Sequence, residues 1–117
     1  MIRHILVVDD DFQIATLFQD FLEASGYRVS IAHEGVSALS IYDADPADAV
    51  ITDLAMPRMG GSELIRHLRL RTPSLPVIVV SGYPSEDYID SLNTVVFMKP
   101  VKLAQLVHQL QELLAEA

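Results

Sequence analysis

Four short apolar runs in this chain each end abruptly on a polar side chain. Ile5-Leu6-Val7-Val8 closes on Asp9 and Asp10, and Ala49-Val50-Ile51-Thr52 closes on Asp53. Pro76-Val77-Ile78-Val79-Val80 closes on Ser81, and Val95-Val96-Phe97-Met98 closes on Lys99. Runs this short, rich in β-branched residues and bounded by turn formers, read as strands, the first three of them buried on both faces. Strands covered on both faces belong to parallel sheets, and parallel strands need crossover connections, usually helices. That requirement excludes most other folds.

The segments between the runs supply the helices. Ile14, Leu17, Phe18, Phe21 and Leu22 recur at helical spacing, with Gly26 as the stop. Gly35 precedes a shorter helix carrying Ala38, Leu39 and Tyr42. Leu64, Ile65 and Leu68 mark a third helix that ends before Pro73. Leu103, Leu106, Val107, Leu110, Leu113 and Leu114 stripe the last one. Tyr27, Val29 and Ile31 alternate with Arg28 and Ser30, as in a half-exposed edge strand. Gly82-Tyr83-Pro84 turns the chain, and Ser85 reads as the N-cap of a short fourth helix with Glu86 and Asp87 in its first turn. The reading is five βα units: an α/β fold with a five-stranded parallel sheet, helices on both faces and right-handed crossovers. Periodicity alone leaves the strand order open.

Composition narrows the function. At 117 residues the chain reads as one domain, residues 1–117, and half its residues are hydrophobic, enough for one core. A net charge of -8 disfavours nucleic acid or an anionic membrane as a partner. Cysteine is absent, so no thiol chemistry enters. The first apolar run is too short and too acid-flanked for a signal peptide, and no segment has transmembrane length. The expectation is a cytoplasmic protein, or one soluble domain of a longer chain. No internal repeat or linker interrupts it.

Strand ends of one parallel sheet share an edge, where α/β proteins bind ligands. Asp9-Asp10, Asp53, Ser81 and Lys99 would therefore converge. Clustered carboxylates repel one another and need a cation, and an all-oxygen site suits Mg²⁺ sharing its shell with phosphate oxygens. A carboxylate beside such a metal can act as a nucleophile towards phosphorus. A hydroxyl and an ammonium would then neutralise the transferred phosphoryl oxygens.

These residues resemble the receiver domain of bacterial two-component response regulators. The resemblance rests on Ile-Leu-Val-Val-Asp-Asp at 5–10, Asp-Leu-Ala-Met-Pro-Arg-Met-Gly-Gly at 53–61, Ser81-Gly82 after a strand, and Lys99-Pro100. It covers the chain from Ile5 through the last helix. It implies a flavodoxin-like fold with strand order 2-1-3-4-5, an order the chemotaxis receivers exemplify. It also implies Asp53 as phosphoacceptor, and a Mg²⁺ site made by Asp9, Asp10, Asp53 and the backbone carbonyl of Ala55. Asp10 would ligate directly and Asp9 mostly through water. Ser81 becomes the switch hydroxyl, and Lys99 the phosphoryl-binding lysine before a cis bond to Pro100. The partners implied are a histidine kinase or phosphotransfer protein and a downstream protein of unknown identity. The wording Ser-Gly-Tyr-Pro and Phe-Met-Lys-Pro is similar to receivers attached to hybrid histidine kinases.

Two departures from the family pattern stand out. Receivers usually carry an aromatic three residues before the lysine; here that residue is Val96, with Phe97 facing the other way. The interval from Ser81 to Lys99 is also about one helical turn short, hence the short fourth helix. In receivers the second residue after the acceptor and the second after the switch hydroxyl flank the path of a hydrolytic water; the resemblance puts Ala55 and Tyr83 there, neither of which is a base at neutral pH.

Taken singly, each feature has a bland reading. Asp9 and Asp10 could cap a helix, Asp53 could form a turn, Ser81 could be a cap and Lys99 a solvated strand end. Asp11 reads as a cap or a solvated residue. Pro57, Gly60 and Gly61 read as loop geometry. His4, His33, His67 and His108 lack metal-ligand spacing and read as surface or packing residues. A small Mg²⁺-dependent phosphatase or phosphotransferase using Asp53 is the competing function. Such haloacid-dehalogenase-type enzymes usually place a second Asp two residues after the nucleophile, where this chain has Ala55. A degenerate receiver that only binds partners is the third reading.

Overall fold

The computed structural model of the chain describes residues 2–82 and 93–115. In chain order the elements are β1 (His4–Val8), α1 (Phe12–Ala24), β2 (Arg28–Ala32), α2 (Gly35–Ala44), β3 (Ala49–Thr52), α3 (Gly61–Arg71), β4 (Val77–Ser81), β5 (Thr94–Met98) and α4 (Leu103–Ala115). The strands form one parallel sheet in the order β2-β1-β3-β4-β5. This is the flavodoxin-like order. The short helix expected after Ser85, with Glu86 and Asp87, lies outside the described residues.

Alternate residues of each strand point to opposite faces, and both faces are covered. Ile5, Val7, Ala49, Ile51, Ile78 and Val80 pack against Ala15, Phe18 and Leu22 of α1 and Leu106, Leu110 and Leu114 of α4. Leu6, Val8, Val50, Val77 and Val79 pack against Ala38 and Tyr42 of α2 and Leu64, Ile65 and Leu68 of α3. Two covered faces explain why β1, β3 and β4 read as unbroken apolar runs. Each fully buried Leu or Ile contributes roughly 1.5–3 kcal/mol relative to exposure. One expected core residue stays out: Leu17 is 53 % exposed, because it stands at the margin of the α1 stripe beside the buried Phe18.

Local chemistry sets the boundaries. Asp11 caps α1, its Oδ1 accepting from the amides of Gln13 (2.9 Å) and Ile14 (3.2 Å). Gly26, at φ 98°, supplies the left-handed residue that ends α1. In the β3–α3 loop the left-handed residue is Arg58, at φ 69°. Gly61 serves closeness instead: a Cβ there would collide with the carbonyl of Asp53 and the Cα of Leu54.

Candidate functional site

The sheet's hydrogen-bond ladder continues past the strand ends into the site. The amide of Asp9 donates to the Ala32 carbonyl (3.1 Å), that of Asp53 to Val8 (3.1 Å) and that of Lys99 to Ser81 (2.9 Å). Three charged residues thus hang from backbone that is fixed as firmly as the strands themselves. All three stand at the C-terminal edge.

Their side chains converge. Lys99 Nζ donates to Asp53 Oδ2 at 2.9 Å and to Asp9 Oδ2 at 3.3 Å. Asp53 Oδ1 accepts from the Ala55 amide (3.2 Å), and Asp9 Oδ1 accepts from the Asp11 amide (2.9 Å). One carboxylate oxygen from each of Asp9, Asp10 and Asp53 lies within 4.8 Å of the others. Asp9 and Asp53 are buried, whereas Asp10 is exposed. Ser81 is buried at the end of β4, opposite Met98 and bonded through its carbonyl to the Lys99 amide. Ala55 is exposed two residues beyond Asp53. Tyr83 lies outside the described residues. The Lys99–Pro100 bond is cis, as the resemblance implied.

Electrostatics mark the cluster as incomplete. Burial raises the Asp9 pKa above its ordinary value, and the Asp53 charge adds to this; the Asp11 amide and Lys99 only partly oppose it. Burial works against the Lys99 ammonium too, yet its bonds and charge contacts with Asp53 and Asp9 outweigh this and raise its pKa. Among the described residues the three clustered carboxylates have one ammonium, which bonds Asp9 and Asp53. Their oxygen-only donors and residual negative charge suit a hard divalent cation, so these residues could hold a metal.

A family model, the response regulator receiver domain, matches residues 5–111. The chain belongs to this family. Response regulator MprA of Mycobacterium avium (strain 104) is 35 % identical over 114 residues, covering 94 % of the chain but 50 % of the relative. The receiver thus spans half the length of that relative. Among solved structures, a CheY-like receiver domain protein from Methanospirillum hungatei JF-1 is similar at TM-score 0.93 and 29 % identity, covering 99 % of this receiver and 96 % of that chain. The receiver domain of the hybrid histidine kinase CckA is similar at TM-score 0.83 and 27 % identity, covering 95 % and 98 %. The family is one of phosphorylation-dependent signalling switches, and the shared fold is the flavodoxin-like one. No described helix of the receiver is long and apolar enough to cross a membrane.

Sequence reasoning missed two contributors. Thr52 donates its hydroxyl to the Asp53 carbonyl (2.9 Å), steadying the peptide that carries Asp53. His33, read from sequence as surface or packing, places Nδ1 3.0 Å from the Asp9 carbonyl and stacks on Phe12. The available signal was position: His33 directly follows β2, the neighbour of β1, and so falls at the same edge as Asp9.

Proposed function

We propose that Asp53 accepts a phosphoryl group from a phosphohistidine on a kinase or phosphotransfer protein, and that this changes binding of a downstream protein. The observation that carries the reading is the convergence of three carboxylates and one lysine at the sheet edge. Mg²⁺ held by Asp9, Asp10, Asp53 and the Ala55 carbonyl would offset the phosphoryl charge as it approaches. A lone pair of the Asp53 carboxylate attacks phosphorus in line, the P–N bond breaks, and its electron pair returns to the donor imidazole. Lys99, already held between Asp53 and Asp9, moves its donors to the phosphoryl oxygens. Ser81, the switch hydroxyl of the family pattern, is the second donor. Residues 1–117 act as one receiver domain, in the cytoplasm, promoting only phosphorylation and dephosphorylation of itself. The phosphatase alternative lacks its acid, since Ala55 occupies that position.

The test is intact mass after treatment with acetyl phosphate. Wild type should gain one phosphoryl group only with Mg²⁺, Asp53→Asn should gain none, and Asp10→Asn should need more metal. Undiminished labelling of Asp53→Asn would sink the assignment.

A further inference from the structure

The loop from Asp9 to Phe12 carries the acidic pair, and a single side chain from outside touches both of its ends. His33 Nδ1 lies 3.0 Å from the Asp9 carbonyl at the entrance. The His33 ring stacks on Phe12, the first residue of α1, at the exit, with centroids 3.6 Å apart and planes within 7°. A carbonyl can only accept, so Nδ1 carries the proton and donates. The stack holds the ring so that this donor keeps its aim. Phe12 is 64 % exposed, which means its ring is retained there by His33 more than by the core.

We infer that His33 is a positioning residue for the cation site. The inference rests on the reading of Asp9 and Asp10 as metal ligands. The Asp9 carbonyl belongs to the peptide that leads into Asp10, so a donor on that oxygen sets the orientation from which Asp10 projects. Asp9 and Asp53 are buried and tied by Lys99, the Asp11 amide and the Ala55 amide. Asp10 is the exposed member of the cluster, and its aim depends most on its backbone. Groups that orient ligands from one layer out commonly change metal affinity ten- to a hundredfold when removed.

Two substitutions separate the donor from the stack. His33→Phe keeps a ring against Phe12 and deletes the donor. His33→Asn deletes the ring and puts an amide N–H near the position of Nδ1. Mg²⁺ titration by calorimetry on metal-free protein should show His33→Phe about tenfold weaker than wild type and His33→Asn within about threefold of it. Hydrogen exchange at the Asp11 amide, which bonds to Asp9 Oδ1, gives a readout without metal. It should speed up in His33→Phe and return towards wild type in His33→Asn. Equal losses in both variants, or no loss in either, would overturn the inference. A wild type that binds no Mg²⁺ would instead defeat the metal reading, and the exchange comparison would still decide whether His33 orders the loop.

Discussion

The two edges of the sheet carry similar charged residues and treat them in opposite ways. At the N-terminal edge, acids and bases are matched. Arg28 forks onto Asp45 with contacts of 2.5 and 3.1 Å, and Arg3 lies 3.8 Å from Asp48. Asp48 also accepts from the His4 amide at 2.7 Å, while the buried His4 ring is satisfied by the Ser30 hydroxyl (2.7 Å) and the Pro46 carbonyl (3.2 Å). At the C-terminal edge, three carboxylates cluster and one lysine bonds two of them, Asp9 and Asp53. The first edge is electrostatically complete within the fold. The second keeps an excess of negative charge that a bound cation would offset, an arrangement that costs stability where a fold reserves charge for binding.

The contrast fails if removing an acid has the same sign at both edges. Asp48→Ala takes the acceptor from a buried main-chain amide and should destabilise the protein by about 2 kcal/mol. Asp9→Asn removes a buried charge that faces Asp53, and an amide oxygen can still accept from Asp11. It should leave the metal-free protein more stable than wild type. Denaturant midpoints at constant slope read both. A destabilised Asp9→Asn would mean that Lys99 fully balances the cluster.

The same edge should also govern how long a phosphoryl group survives. Ala55 offers no side-chain hydrogen bond to hold an attacking water, and its amide is bound to Asp53. Ala55→Asn should speed dephosphorylation about tenfold, equivalent to ~1.4 kcal/mol on the barrier. Decay of phosphorylated protein in Mg²⁺ buffer measures this, and unchanged decay would show that water positioning there does not limit the rate.

How much of this was legible in the sequence depended on what enforces each feature. Buried strands are enforced by two covered faces, so Ile5–Val8 and Val77–Val80 announce themselves. Strand-end polarity then located Asp9, Asp53, Ser81 and Lys99 at one edge, with the order of strands taken from the resemblance. The loops were less readable because their constraints are contacts, not periods. Gly60 and Gly61 marked a loop without fixing its geometry: Gly60 has φ -72°, and the left-handed residue is Arg58. Gly61 is needed because the chain passes against the Asp53 carbonyl, a fact with no one-dimensional trace. His33 was invisible for the same reason, since its partner is a main-chain oxygen 24 residues away.

Side-chain alternation in β5 was legible and bears on output. Val96 packs with the α2 and α3 face, and Phe97 with the α1 and α4 face. An aromatic that turns inward cannot be the coupling device at Val96. Val96→Ala should therefore cost about 1 kcal/mol of packing while phosphorylation-dependent partner binding persists. Loss of that binding in a folded, phosphorylatable Val96→Ala protein would restore a coupling role to this position.

The smallest effect expected is a pH dependence confined to the matched edge. The Arg28 hydrogen bond holds the Asp45 carboxyl below its ordinary value of 3.8, against the opposing effect of burial and with help from the charges of His4 and Arg28. A carboxyl whose folded pKa is depressed contributes stability that is fully present above the unfolded value and is lost as pH falls through the folded one. Both groups are exposed, so solvent screens the pair and its contribution is small. Arg28→Gln deletes it while leaving the Arg71–Asp43 pair, the His4 contacts and the whole C-terminal edge common to both proteins. The difference in denaturant midpoint between wild type and Arg28→Gln should hold steady from about pH 7 to pH 5 and close as the pH falls below about 4. Added salt at neutral pH should narrow it as well. A gap that persists undiminished into the acid range would mean that Arg28 stabilises β2 through its aliphatic stem and not through Asp45, and the N-terminal edge would then owe less to charge matching than its geometry implies.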